Sequence, residues 1–152
     1  MAMTITLYFN DILAAVKAIS HSEVEAISDA DARYRAEAGG EKDFLLRDCI
    51  SSAKSKLKHR CLRFLDNDYT EAAGAEDVEV TYVFVFDMNA GRRANGKADI
   101  LAKAMHNFIV EYALSKFYSD VSQPDLSNKH SLAAVEIGNS IDEMLYTKLP
   151  PQ

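Results

Sequence analysis

The stretch Gly91-Arg92-Arg93-Ala94-Asn95-Gly96-Lys97 is where residue types and spacing come nearest to a chemical device. It fits G-x-x-x-x-G-K, follows a strand-like segment and precedes a helical one. That is the context of a phosphate-binding loop, whose backbone N–H groups and lysine cradle a nucleotide. Three features oppose this reading. Position 98 is Ala, so the hydroxyl that would hold Mg²⁺ is missing. Four residues separate the strand's end at Phe86 from Gly91, whereas a phosphate loop springs directly from its strand. The chain also lacks the alternating βαβ units that would bring a second acidic metal ligand. The simpler reading is a basic connection whose Arg92, Arg93 and Lys97 form a contact surface.

The remaining reactive side chains form no recognisable set. His21, His59, His106, His130, Cys49 and Cys61 show no CxxC, HxxxH or HExxH spacing, so no metal is expected. No Ser or Cys stands in a nucleophile elbow. Cys49 and Cys61 fall on an apolar stripe, where a thiol serves as a small hydrophobe. They lie about 18 Å apart along one helix, out of bridging reach, so both should be reduced thiols in a cytosolic setting. His130, near the inner stripe of the last helix, has two readings: a buried general base, or a core histidine with satisfied hydrogen bonds. The second is preferred. The carboxylate pairs Glu23/Glu25, Asp29/Asp31, Asp66/Asp68 and Asp142/Glu143 have no neighbouring feature that would raise a pKa or fix a water. No catalytic residue and no cofactor are assigned.

The segment Lys54 to Arg63 holds five full positive charges and no acid. On a helix these spread around a solvated face. Lys56, Lys58 and Arg60 are a second, weaker contact candidate, because such clustering makes a local positive field.

The elements that must position these residues are mostly helical. The chain has 152 residues with only six Gly and three Pro to interrupt helices, and its length suits one core. Ile5, Leu7 and Phe9 alternate with Thr4, Thr6 and Tyr8, a short strand. Asn10 or Asp11 then caps a helix with Ile12, Leu13, Val16 and Ile19 on its apolar face. A weaker helical pattern over Ser22 to Ala38 ends at Gly39-Gly40. A long helix from about Glu41 to Leu65 carries a stripe of Phe44, Leu46, Cys49, Ile50, Ala53, Leu57, Cys61, Phe64 and Leu65. Its acids fall early and its cations late, as the helix dipole favours.

An acidic connection, Asp66 to Asp77, leads to the clearest strand, Val78 to Asp87. Its partner is the N-terminal strand or an edge from another subunit, since a lone strand leaves its backbone groups unsatisfied. A helix from about Lys97 to Tyr118 and another from about Ser127 to Tyr146 follow, separated by Ser122-Gln123-Pro124. The expected fold is mainly α: a single domain over 1–152, a bundle of about four helices with a small β element.

A net charge of -6 disfavours nucleic acid as the principal partner, since duplex binding rests on cationic side chains. No apolar run approaches the length that spans a bilayer, and the N-terminus has no signal-peptide pattern. Protein partners are therefore expected.

Three stretches resemble a known group. Thr4-Ile5-Thr6-Leu7-Tyr8-Phe9-Asn10-Asp11-Ile12-Leu13-Ala14-Ala15-Val16 has the form TI-x-L-Y-x-x-D-(I/L)-L-x-x-V. His106-Asn107-Phe108-Ile109-Val110-Glu111-Tyr112-Ala113-Leu114-Ser115-Lys116-Phe117-Tyr118 is similar to H-x-(Y/F)-I-V-x-x-A-L-x-x-(W/F)-(F/Y), and Met144 to Pro150 to x-L-Y-x-(R/K)-x-P. In this order they resemble small head–tail connector, or neck, proteins of Bacteroides-type phages and prophages. Phe117 stands where that group often has Trp, and Lys148 where Arg is usual. The resemblance implies a structural subunit of virion assembly, in the bacterial cytoplasm or the virion, that forms a ring and contacts neighbouring virion proteins. The rival is a DNA-associated or regulatory helical module using the basic helix face.

Overall fold

The computed structural model describes residues 2–36, 42–65, 81–87 and 98–146. The chain runs β1 (Ala2–Tyr8), α1 (Phe9–Val24), α2 (Ala30–Ala36), α3 (Asp43–Cys61), β2 (Thr81–Asp87), α4 (Ala98–Asp120) and α5 (Pro124–Tyr146). A 3-10 turn, Leu62–Phe64, extends α3. The protein is mainly helical with a small two-stranded antiparallel sheet. Among the described residues no helix is long and apolar enough to cross a membrane.

β1 pairs with β2 from Ala2↔Asp87 to Tyr8↔Thr81, so the N-terminal strand is the partner that β2 required. One sheet face turns Ile5, Leu7, Tyr82, Phe84 and Phe86 into the core. The other carries exposed Thr4, Thr6 and Tyr8 beside half-buried Val83 and Val85. That outer face is only partly covered. Leu65 adds one bridge to Phe86 on the far edge of β2.

α4 is the central element, and α5, α3, α1 and β1 all pack on it. Its buried residues therefore wrap well beyond one stripe: Val110, Leu114 and Tyr118 are enclosed along with Leu101, Met105, Phe108, Ile109, Ala113 and Phe117. A helix covered from several sides has no need of a polar face. Ile100, near the start of α4, remains 58% exposed.

α4 ends in a Schellman motif. Gln123 N–H donates to Tyr118 C=O at 2.8 Å and Ser122 N–H to Ser119 C=O at 3.3 Å. Ser122 takes the left-handed position at φ 61 that glycine fills most easily. Pro124 then opens α5, its fixed φ suiting the first helical residue and its missing N–H costing nothing there. The last helix thus starts three residues earlier than its apolar pattern, which begins near Ser127.

Other boundaries move for equally local reasons. α1 begins at Phe9, directly from the strand, and uses Asp11 in its first turn without a side-chain cap. The weak pattern over 22–38 is two pieces. α1 runs on to Val24, and Asp29 then caps α2 by accepting the Asp31 N–H at 3.0 Å. In α3, Phe44 is 80% exposed. It lies two residues before Leu46, about 160° around the helix, and so opposite the buried stripe of Leu46, Cys49, Ile50, Ala53, Leu57 and Cys61.

Candidate functional site

The basic segment of α3 does not present a uniform solvated face. Lys54 sits at the edge of the apolar stripe and is buried, its ammonium 5.4 Å from the centroid of the Tyr82 ring. Arg60 is taken up by α5. Its Nε donates to Gly138 C=O and Asp142 Oδ1, each at 3.1 Å. Its Nη2 donates to Asn139 Oδ1 at 3.1 Å and Asp142 Oδ2 at 2.9 Å. Of the three contact candidates on this helix, Lys56 is exposed, Lys58 is half-buried and Arg60 is committed within the chain. Lys56 and His59 line an open groove of about 390 Å³ with Ser51, Ser52 and Ser55. Arg92, Arg93 and Lys97, with the rest of the Gly91–Lys97 motif, lie outside the described residues, as do Val78 to Val80 of the expected strand.

The most concentrated polar chemistry among the described residues lies elsewhere, where α1, α4 and α5 meet. His130 is only 3% exposed, and both its ring nitrogens face carboxylates. Nε2 meets Glu23 Oε1 of α1 at 2.7 Å, and Nδ1 meets Glu111 Oε2 of α4 in a direct ion pair. The neighbouring Lys129 donates to Glu23 Oε2 at 2.7 Å, and the Tyr118 hydroxyl donates to Glu23 Oε1 at 3.1 Å. The Tyr118 ring stacks on the imidazole with centroids 5.6 Å apart. Buried Ser20 reaches the same hydroxyl from α1.

Each helix contributes for a physical reason. Glu23 lies in the last turn of α1, at the negative end of the helix dipole, so its carboxylate needs cations from outside. Lys129 and His130 come from the first half of α5 and supply them. Glu111 stands among the apolar residues of α4, beneath a groove of about 420 Å³ lined also by Ala18, Ile19, Ser22 and Ala133. With the imidazole protonated, two carboxylates face two cations.

The electrostatics follow from this geometry. Burial alone would lower the His130 pKa, but the bonds to Glu111 and Glu23 outweigh it and hold the value above 6.5. Burial likewise works to raise Glu23, yet Lys129 and His130 bring its carboxyl below 4.5. Burial pushes the Tyr118 hydroxyl well up, so it remains a donor. A ring that donates from both nitrogens has no lone pair with which to take a proton or bind a metal. Of the two readings of His130, the satisfied core histidine is the one this geometry supports.

The cysteines are buried, free thiols. Burial, with Asp120 near Cys49 and Asp142 near Cys61, pushes each up to about 12, which leaves little thiolate at neutral pH. Among the described residues no group of three or more His, Cys, Asp or Glu is arranged to hold a metal ion. Sequence reasoning singled out His130 but missed Glu23, Glu111, Tyr118 and Lys129 as its partners. The one available signal was the lone acid Glu111 within the apolar run Phe108 to Leu114.

Comparisons of the chain with protein-family models, with curated proteins and with solved structures find no match.

Proposed function

We propose that the chain is a structural assembly subunit that acts by binding other proteins, of the head–tail connector or neck type found in phages and prophages. Its partners are further copies of itself and neighbouring virion proteins, met in the bacterial cytoplasm and in the virion. The observation that carries this reading is the edge of β1. Among the described residues β1 pairs with β2 alone, over Ala2 to Tyr8. The backbone groups of its other edge are a template for a strand from another chain. The outward side chains Thr4, Thr6 and Tyr8 are strand-favouring types, without a charge to repel a neighbour. A head-to-tail contact made at such an edge closes into a ring when its rotation allows.

The resemblance adds support. Its first stretch covers β1 and the start of α1, and its second lies within α4, so it rests on the elements that form the edge and the centre of the fold. The test is native mass measurement and sedimentation at rising concentration, alone and with neighbouring virion proteins. Assembly is expected, and Thr6→Lys should reduce the assembled fraction at unchanged melting temperature by placing a charge on the edge strand. A strict monomer under every condition overturns the proposal.

One observation favours a second reading, a DNA-associated module. Lys56 and His59 share their groove with three serines, and Lys116 of α4 donates to Ser52 Oγ at 3.0 Å. Salt-dependent retention on duplex DNA would favour it, and absence of retention at low salt removes it.

A further inference from the structure

α1 and α5 both pack on α4, and between them runs the groove floored by Glu111. The groove is crossed by the bonds from Glu23 to His130 and Lys129. We infer that His130 is a proton-operated clasp. While both ring nitrogens carry protons it draws the last turn of α1 onto α5, and when one proton leaves, that turn is released and the groove opens.

The geometry dictates the two states. The ring touches a carboxylate on each side, Glu23 from α1 and Glu111 from α4, and is stacked on Tyr118 from α4. On its own helix its charged neighbour is Lys129. A neutral imidazole has one N–H and one lone pair. It can therefore keep only one of its two carboxylates, and it turns a lone pair toward the other. Lys129 holds Glu23 from the solvent side, being 64% exposed, and cannot replace the buried contact. The Tyr118 hydroxyl, a donor with a raised pKa, adds its bond to Glu23 in the closed state.

Sliding α5 as a whole is resisted by its long contact with α4 and by Arg60 near its other end. The last turn of α1 is followed by a short irregular link to α2 and is the piece free to yield. The direction of the response is fixed by the raised folded pKa. The clasp is closed below about pH 6.5 and opens as pH rises through the folded value.

The test uses the full chain. The His130 ring nitrogens are followed by NMR between about pH 5 and about pH 10, and amide exchange is measured for Ser20 to Val24 against Phe108 to Ala113 of α4. We expect both nitrogens protonated at the acid end of this range. On deprotonation, protection of the α1 turn should fall about tenfold relative to α4. His130→Gln should show no such pH-dependent step. A ring that is singly protonated at about pH 5 overturns the proposal, as does deprotonation with no relative change in α1 protection. If His130→Gln does not fold, Glu111→Gln serves instead, and a release midpoint unmoved by it counts against the clasp.

Discussion

α5 is held near its two ends by fastenings of opposite design. In its first half, His130 and Lys129 hold carboxylates of α1 and α4, with side chains of Glu23 and Glu111 only 11% and 21% exposed. Toward its other end, the half-exposed Arg60 guanidinium makes paired bonds to Asp142 and caps the Gly138 carbonyl. The first depends on a proton that can leave. The second depends on a group charged at every accessible pH and on space, since a Cβ at Gly138 would stand 2.6 Å from Arg60 Cζ. One is specified by charge in the interior, the other by shape near the surface.

The largest effect should come from breaking the interior fastening. His130→Ala leaves Glu23 and Glu111 without their shared cation, and should cost about 3–5 kcal/mol in urea unfolding near neutral pH. A cost under about 1 kcal/mol would place the two fastenings on a level and end the contrast.

The pH profile sharpens it. The folded His130 pKa lies above 6.5, so its contribution is full below that value and is lost as pH rises through the folded pKa. Glu23 is lowered, so its contribution is full above 4.5 and lost as pH falls through its folded pKa. Stability should therefore decline on both sides of a window between them, and the alkaline decline should vanish in His130→Gln. Loss of the alkaline decline in Arg60→Ala instead would assign it to the wrong end.

A smaller effect probes shape. Gly138→Ala adds helix propensity worth about 1 kcal/mol but pushes the guanidinium away. In the native background the net change should be a loss of about 1 kcal/mol, and in Arg60→Ala a gain of about 1 kcal/mol. Additive effects in this double-mutant cycle would mean that Arg60 and Gly138 do not meet. Arg60→Lys, which keeps charge but loses the fork, should cost about 0.5–1 kcal/mol.

The smallest serves as a control. Ser122→Gly relieves the left-handed residue ahead of α5 without touching either fastening, and should raise stability by about 0.5–1 kcal/mol with an unaltered pH profile.

The same contrast separates what could be read in the sequence from what could not. Alternation in β1 and β2, and the stripes of α3 and α4, are local periodicities, so the elements and the mainly α class were legible. Which stripe residues end up buried was less so. Phe44 fails on helix geometry, and Val110 and Leu114 are enclosed only because several neighbours pack on α4. The clasp was illegible. His130 meets Glu111 at a separation of 19 residues and Glu23 at 107, and no local pattern encodes such a meeting. Arg60 read as a surface cation because its partners Asn139 and Asp142 lie on another helix. Pairings between elements belong to packing, which periodicity implies without addressing.

The register of the sheet also bears on the order in which the chain organises. Tyr8 pairs with Thr81 and Ala2 with Asp87, so among the described residues three α-helices intervene between the partners. α4 and α5, by contrast, are joined through only Val121 to Gln123 and share the most extensive contact among the described elements. Closing the short connection costs far less chain entropy than closing the long one. The α4–α5 hairpin is therefore the natural nucleus, with the sheet added late. On a growing polypeptide β1 emerges well before β2, and it waits for the intervening segment before it can pair. Substitutions in the α4–α5 interface should slow folding, whereas those in β1 should chiefly hasten unfolding. Until β2 arrives, both edges of β1 lack the backbone partner that Thr81 to Asp87 supplies.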